Sequence, residues 1–128
     1  MSYRPTRAVA NAARQGLRVR AQAPPSRQGG TDVGTTRGEQ LAGRRRVSLD
    51  TVRRMLRYFV RHLKDKQGST WDERGKGWQA WHLWGGDPGA RWAARIVRRD
   101  DPAYWAQFLE GADNRALLRH LGLSTRRA

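Results

Sequence analysis

Basic side chains recur along residues 44–64 (RRRVSLDTVRRMLRYFVRHLK) at a spacing that could bind a polyanion. Arg53, Arg57, Arg61 and Lys64 follow one another every three or four positions, which places them on one side of an α-helix, with Arg54 beside them. Guanidinium groups bind phosphate oxygens through paired hydrogen bonds. The candidate nucleic-acid-binding residues are therefore the arginines and the lysine of this stretch: Arg44, Arg45, Arg46, Arg53, Arg54, Arg57, Arg61 and Lys64.

The overall charge favours the same class of partner. The chain of 128 residues has 26 lysines and arginines against 11 acids, a formal net charge of +15. Arginine far outnumbers lysine, which favours nucleic acid, with DNA the expected form, over an acidic protein surface, the alternative that stays open. We expect no membrane partner, because the sequence has no apolar run long enough to span a bilayer.

Catalytic and metal chemistry find little support in the residue pattern. The chain has no cysteine, and His62, His82 and His120 lie far apart with no ligand at metal-binding spacing. No nucleotide-binding glycine loop occurs, and Asp100-Asp101 is explained by helix capping. We predict a protein that is not an enzyme and holds no cofactor or metal. For His82 we expect a half-buried, hydrogen-bonded ring.

The basic residues need a helix to position them, and an apolar stripe at helical spacing predicts one. Leu49, Val52, Leu56, Phe59 and Leu63 share one side of residues 48–64, with Ser48 as the predicted N-cap. A shorter helix precedes it, with capping-box spacing from Thr36 to Glu39 and a left-handed end at Gly43.

Together these two helices outline a helix-turn-helix-like pair. Arg45 and Arg46, however, occupy positions where that motif normally has an apolar residue and the turn glycine. Two ordinary packed helices with a solvated charged face remain the alternative.

The rest of the chain also predicts helices, and hence an all-α fold. Residues 65–77 are a polar loop, in which Trp71 is predicted to cover the core. Helices follow at residues 78–84, after the Asp87-Pro88 and Asp101-Pro102 caps, and at 113–121, where Gly122 ends the last one. We expect a tryptophan-rich core that includes Val47, Val52, Leu56, Phe59, Leu83, Trp84, Trp92, Ile96, Phe108 and Leu117.

The N-terminal part looks separate from this domain. Its first thirty residues hold six arginines and no acid, with a possible helix at 6–20 capped by Thr6 and a Pro- and Gly-containing linker at 21–31. We predict a flexible basic arm at residues 1–35, a helical domain at 36–123 and a frayed tail at 124–128.

Two stretches carry a resemblance. VSLDTVRRMLRYFVRHLKDK and WQAWHLWGGDPGARWAARIV are similar to a small uncharacterised helical module of tailed-bacteriophage proteins, with the pattern TVRRM…RHxxDK…LWGGDxGxxWA. The match covers roughly residues 6–98. It departs at residues 78–81, which replace the usual Ile-Ala-Trp lead-in, and at Pro88, and the chain extends beyond the module after Val97.

The resemblance implies a phage setting, in the virion or the host cytoplasm. It leaves two functions open. One is a non-enzymatic protein that binds nucleic acid through the arginine-rich helix. The other is a minor virion structural protein, associated with the capsid, its decoration or the connector, that docks on an acidic protein surface. Oligomeric state does not follow from the sequence.

Overall fold

The structure is a computed structural model that describes residues 1–126, and seven α-helices form its fold. The helices are α1 (Arg7–Gln22), α2 (Asp32–Ala42), α3 (Leu49–His62), α4 (Lys76–Leu83), α5 (Gly86–Asp100), α6 (Pro102–Phe108) and α7 (Ala112–His120). Short 3-10 helices lie at Pro25–Arg27 and Leu63–Gln67. The prediction of an all-α domain is confirmed.

One strand pair was not predicted. Strand β1 (Ser2–Tyr3) pairs antiparallel with β2 (Val47–Ser48), and Tyr3 lies opposite Val47. The pair joins the N-terminus to the residues that lead into α3. Two-residue strands are too short to show an alternating sequence pattern. No helix within residues 1–126 combines the length and apolar character needed to cross a membrane.

Aromatic side chains form a cluster in the core, as predicted. Phe59 and Trp81 are buried and meet edge to face, with ring centroids 4.8 Å apart. Trp71 is partly buried and packs edge-on against Trp81 at 6.1 Å, so its predicted covering position is confirmed. Of the predicted core residues, Trp92 is half-buried and packs against the cluster, and the others are buried.

The N-terminal helix belongs to this core, so the packing does not divide at residue 35 as we predicted. Val9, Ala10 and Ala13 of α1 have no exposed surface, and α1 packs against α2, α4 and α5. The apolar strip of α1 is thin because its residues are small. Small residues allow two helix backbones to approach closely, a packing mode that hydrophobicity alone does not reveal.

Gly16 tests this packing. A Cβ at Gly16 would lie 2.8 Å from the Leu83 backbone nitrogen, so Gly16→Leu is expected to force α1 away from α4. We expect a loss of about 1–3 kcal/mol in the free energy of unfolding, measured in urea, although leucine favours helix over glycine by nearly 1 kcal/mol. The neighbouring exposed change Gln15→Leu is the control. Equal stability of the two variants would contradict the packing of α1 in the core.

Three of the predicted helix caps are confirmed. The Ser48 hydroxyl accepts a hydrogen bond from the Thr51 backbone N–H at 3.1 Å. The Asp101 carboxylate accepts one from the Tyr104 N–H at 3.3 Å, and the Thr6 hydroxyl accepts one from the Val9 N–H. Gly122 adopts the expected left-handed conformation, with φ of 72°.

Other helix ends differ from the prediction. Thr31, not Thr36, caps α2, through a 3.1 Å hydrogen bond from the Gly34 N–H. The left-handed residue after α2 is Arg44, with φ of 52°, whereas Gly43, the predicted one, has φ of −82°. Each of these helix ends has two candidate residues close together in the sequence, and spacing alone does not decide between them.

Asp87 does not cap α5, contrary to the prediction. Gly85 precedes α5 without a side-chain hydrogen bond. The Asp87 carboxylate instead accepts hydrogen bonds from the Trp81 indole at 2.9 Å and from the Lys66 ammonium. The prediction failed because both partners come from other elements.

Helices α2 and α3 are consecutive, but each packs mainly elsewhere. Helix α2 packs on α1 and α4, whereas α3 packs on α5. Their connection contains β2 rather than a tight turn. The two helices therefore do not pack together as the predicted helix-turn-helix-like pair. The predicted tail is described only as far as Arg126; residues 127 and 128 lie outside the described part of the chain.

Candidate nucleic-acid interface

An open groove of about 830 Å³ lies between α3 and the segment that leads into α2. We name it the α3 groove. Residues 28–31 and Val33 line one side, α3 lines the other, and Ala80 and Trp84 also line it. Among its described lining residues the groove has a single carboxylate, that of Asp65. It has four cations: Arg54, Arg57, Arg61 and Lys76. The groove is thus a strongly positive concavity.

Helical geometry explains why three of the predicted arginines meet there. Arg54, Arg57 and Arg61 are spaced three and four residues apart, so they project within an arc of about 60°. The buried face of α3, which includes Leu56 and Phe59, fixes the direction of that arc. Of the predicted face of Arg53, Arg57, Arg61 and Lys64, only Arg57 and Arg61 line the groove, and Arg54, predicted to lie beside that face, joins them.

The groove arginines make weak contacts within the chain. Arg54 forms a salt bridge with Asp50 at 3.1 Å, and both side chains are more than half exposed, at 58% and 59%. Arg57 donates a 3.3 Å hydrogen bond to the Tyr104 hydroxyl, and Arg61 has no salt bridge to a carboxylate in residues 1–126. Exposed ion pairs contribute little free energy, so these side chains can exchange their contacts for phosphate oxygens.

Arg53 does not belong to this face, which corrects the predicted grouping. Its guanidinium binds the Asp101 carboxylate, with Nε at 2.7 Å from Oδ2 and a second bond from Nη2, and lies over the Tyr104 ring. The side chains are 29% and 17% exposed. The hydrogen bond from Arg53 is the main cause that lowers the pKa of Asp101. Arg53 thus anchors α3 to α6, because it lies about 40° further around the helix than Arg57.

The triple arginine also has partners in the chain. The Arg44 Nε donates to the Pro5 carbonyl at 2.9 Å, and the Arg46 Nε donates to the Ser2 hydroxyl at 2.9 Å. Arg45 and Lys64 are exposed, and neither lines the groove. Arg44 and Arg46 hold the N-terminal strand against β2 rather than forming the groove.

Several groove residues were missed by sequence analysis. Lys76 stands between two glycines and has no periodic neighbours, and residues 28–31 were interpreted as a linker. The segment is held by a hydrogen bond from the Gly29 N–H to the Gln79 side-chain oxygen at 2.7 Å. Gln79 is buried, and its contacts to Arg27 and Arg74 carbonyls fix the loop further. The one signal in the sequence was a polar Gln79 between the tryptophans of this helix.

A stack of rings lies beside the arginines. The Tyr58 ring stacks on Trp84 with centroids 4.6 Å apart and on His62 at 4.4 Å. His62 also contacts Asp65 through its Nδ1 at 3.0 Å. Tyr58 and Trp84 are buried, so they supply a rigid floor rather than exposed faces for base stacking.

The other histidines lie apart from the groove. The predicted environment of His82 is confirmed: the ring is half-buried, its Nδ1 lies 2.8 Å from the Trp78 carbonyl oxygen, and burial lowers its pKa. His120 lies 2.7 Å from the Lys66 ammonium. Within the described residues no group of three or more potential ligands converges on one metal position.

Comparisons of the chain with protein-family models, curated proteins and solved structures found no match.

Proposed function

We propose that this domain binds nucleic acid along the α3 groove, with DNA as the favoured form, and that it carries out no catalysis. The observation that supports this function is the charge of the groove: three guanidinium groups of one helix face and the Lys76 ammonium share the lining with a single carboxylate. Arginine at such a face suits phosphate oxygens, which accept paired hydrogen bonds from each guanidinium.

The groove shape favours contacts to the phosphate backbone. The rings beneath are buried and stacked on each other, which leaves no exposed aromatic face for a base. Phosphate contacts position a protein without reading sequence, and we therefore expect binding with little sequence preference.

The phage setting remains part of the proposal and rests on the resemblance of residues 47–66 and 78–97. In that setting the protein associates with DNA in the virion or the host cytoplasm. A minor structural protein docking on an acidic capsid surface would use the same cations. Binding measurements against both kinds of polyanion separate the two.

The test measures the affinity of the full chain for fluorescently labelled DNA as a function of salt. Four phosphate contacts give a slope of log K against log[salt] of about −3.6 on duplex DNA and about −2.8 on a single strand. Between about 50 and 200 mM salt the affinity then falls about 100-fold. A polyglutamate of equal charge is the control. Binding to polyglutamate as tight as to DNA would favour the acidic protein surface, and no DNA binding at low salt would contradict the proposal.

A further inference from the structure

Arg37 of α2 is a buried cation without a carboxylate partner. The residue is 8% exposed, and no described acid lies within salt-bridge distance of its guanidinium. Its Nη1 donates to the Gln40 side-chain oxygen at 2.6 Å, and its Nε has no hydrogen-bond partner. Arginine is rarely buried unless it is paired, because removing its charge from water is costly.

The position of Arg37 connects it to the α3 groove. Its guanidinium carbon lies 5.4 Å from the centre of the Trp84 ring, and Trp84 lines the groove. A cation over a tryptophan ring recovers part of the lost hydration. The Nε–H bond of Arg37 lies in the plane of the guanidinium, so the Trp84 ring does not accept a hydrogen bond from it. An acceptor is therefore missing at this place.

Tyr58, a second side chain with a buried atom that lacks a hydrogen-bond partner, also contacts Trp84. Among residues 1–126, three buried side-chain atoms have no hydrogen-bond partner: Arg37 Nε, Tyr58 Oη and Trp105 Nε1. Tyr58 stacks on Trp84, so two of the three belong to side chains that contact one ring. Burial raises the pKa of Tyr58, which keeps its hydroxyl protonated and able to donate. Buried donors that lack acceptors in a native fold require an explanation, of which a bound ion is one.

Arg54 places a second positive charge near Arg37. Burial is the main cause that lowers the pKa of Arg37, and the charge of Arg54 lowers it further. Arg54 lines the groove, and its exposed salt bridge to Asp50 can be exchanged. Arg37 has no carboxylate partner among the described residues and the pairing of Arg54 is exposed, so an anion that contacts both arginines relieves their repulsion.

We propose that Arg37 and Arg54 together bind one phosphate group at the α2 side of the groove, next to Trp84. This inference rests on the proposed function and deepens it, because the group is a phosphodiester when a strand occupies the groove. Free phosphate has the same chemistry and fits the same donors. A phosphate has several acceptor oxygens, enough for both guanidinium groups at once.

The first test follows thermal unfolding of the full chain in inorganic phosphate, with chloride added to hold ionic strength constant. The wild type is expected to gain about 4 °C in Tm at ten times the Kd, and the gain keeps rising with the logarithm of the phosphate concentration. Arg37→Met is expected to lose this gain, and the exposed control Arg95→Met to keep it. In phosphate-free buffer Arg37→Met is expected to be at least as stable as the wild type, because it removes an unpaired buried charge.

A second variant keeps the inference testable if Arg37→Met does not fold. Arg54→Gln changes an exposed side chain and is expected to fold and to show a smaller gain in Tm. The inference is overturned if either variant gains as much in phosphate as the wild type does. It is also overturned if Arg37→Met is less stable than the wild type without phosphate, since Arg37 would then be a structural residue.

Binding of an oligonucleotide without terminal phosphates shows whether the site takes a phosphodiester of nucleic acid or free phosphate. If the site takes a phosphodiester, inorganic phosphate competes with the oligonucleotide, and Arg37→Met weakens its binding about tenfold more than Arg95→Met does. A phosphate-dependent Tm with no oligonucleotide binding means a free-phosphate site and contradicts the proposed function alone. Oligonucleotide binding that Arg37→Met leaves unchanged, with no phosphate-dependent Tm, contradicts this inference alone.

Discussion

Replacing Arg54, Arg57 and Arg61 together by alanine is expected to weaken DNA binding about 10³-fold at about 50 mM salt and to flatten the salt slope by about 2.7. The three side chains line the groove, and each is expected to release about one counterion on binding a phosphate. The domain is expected to stay folded, because Asp50 and Tyr104 are the described partners that these residues lose. Fluorescence anisotropy over a range of salt concentrations measures both quantities.

The matched control removes the same charge elsewhere. Arg18, Arg95 and Arg119 are exposed and do not line the groove, so their triple alanine variant has the same net charge. We expect its slope to stay within about one unit of the wild type. If both triple variants lose affinity and slope equally, binding depends on the overall charge of +15 and not on the groove.

Trp81→Ala is expected to lower the free energy of unfolding by about 3–5 kcal/mol. The Trp81 side chain is 1% exposed and packs on Phe59 and Trp71. Its indole N–H donates to Asp87, whose carboxylate also holds the Lys66 ammonium, at 2.7 and 2.9 Å. The substitution therefore leaves a cavity at the junction of α4 and α5 and removes one of the two groups that donate to the Asp87 carboxylate. Urea unfolding monitored by circular dichroism measures the loss.

Trp78→Ala provides the comparison for this prediction. Trp78 is half-buried and stacks on His82, so its removal empties less of the core. We expect it to cost less than half as much as Trp81→Ala. Equal losses would mean that Trp81 has no special position in the core.

Much of the fold follows from local sequence pattern. The apolar stripe correctly predicted α3, and the caps at Ser48 and Asp101 correctly predicted where α3 and α6 begin. The same periodicity predicted a basic face of Arg53, Arg57, Arg61 and Lys64 with Arg54 beside it, because both the buried and exposed sides of a helix follow one repeat of 3.6 residues. Of these residues, Arg54, Arg57 and Arg61 line the groove.

The errors arise where a residue is paired with a distant one. Arg53 lies on the helix as predicted, but Asp101, 48 positions along the chain, binds it. Helix α1 was assigned to an arm because alanine and glycine give little hydrophobic signal, although they allow close packing on α4. The missing partner of Arg37 depends on burial, which only the assembled fold reveals.

The central claim is that nucleic acid occupies the α3 groove, and a ¹H–¹⁵N NMR titration of the full chain with a short DNA duplex tests it most directly. The account predicts that the Trp84 indole N–H and the Gly30 and Gly77 amides shift, since these residues line the groove, while the Trp105 indole stays in place. Shifts confined to residues 44–46 or to α5 and α6, with the groove signals unchanged, would contradict it.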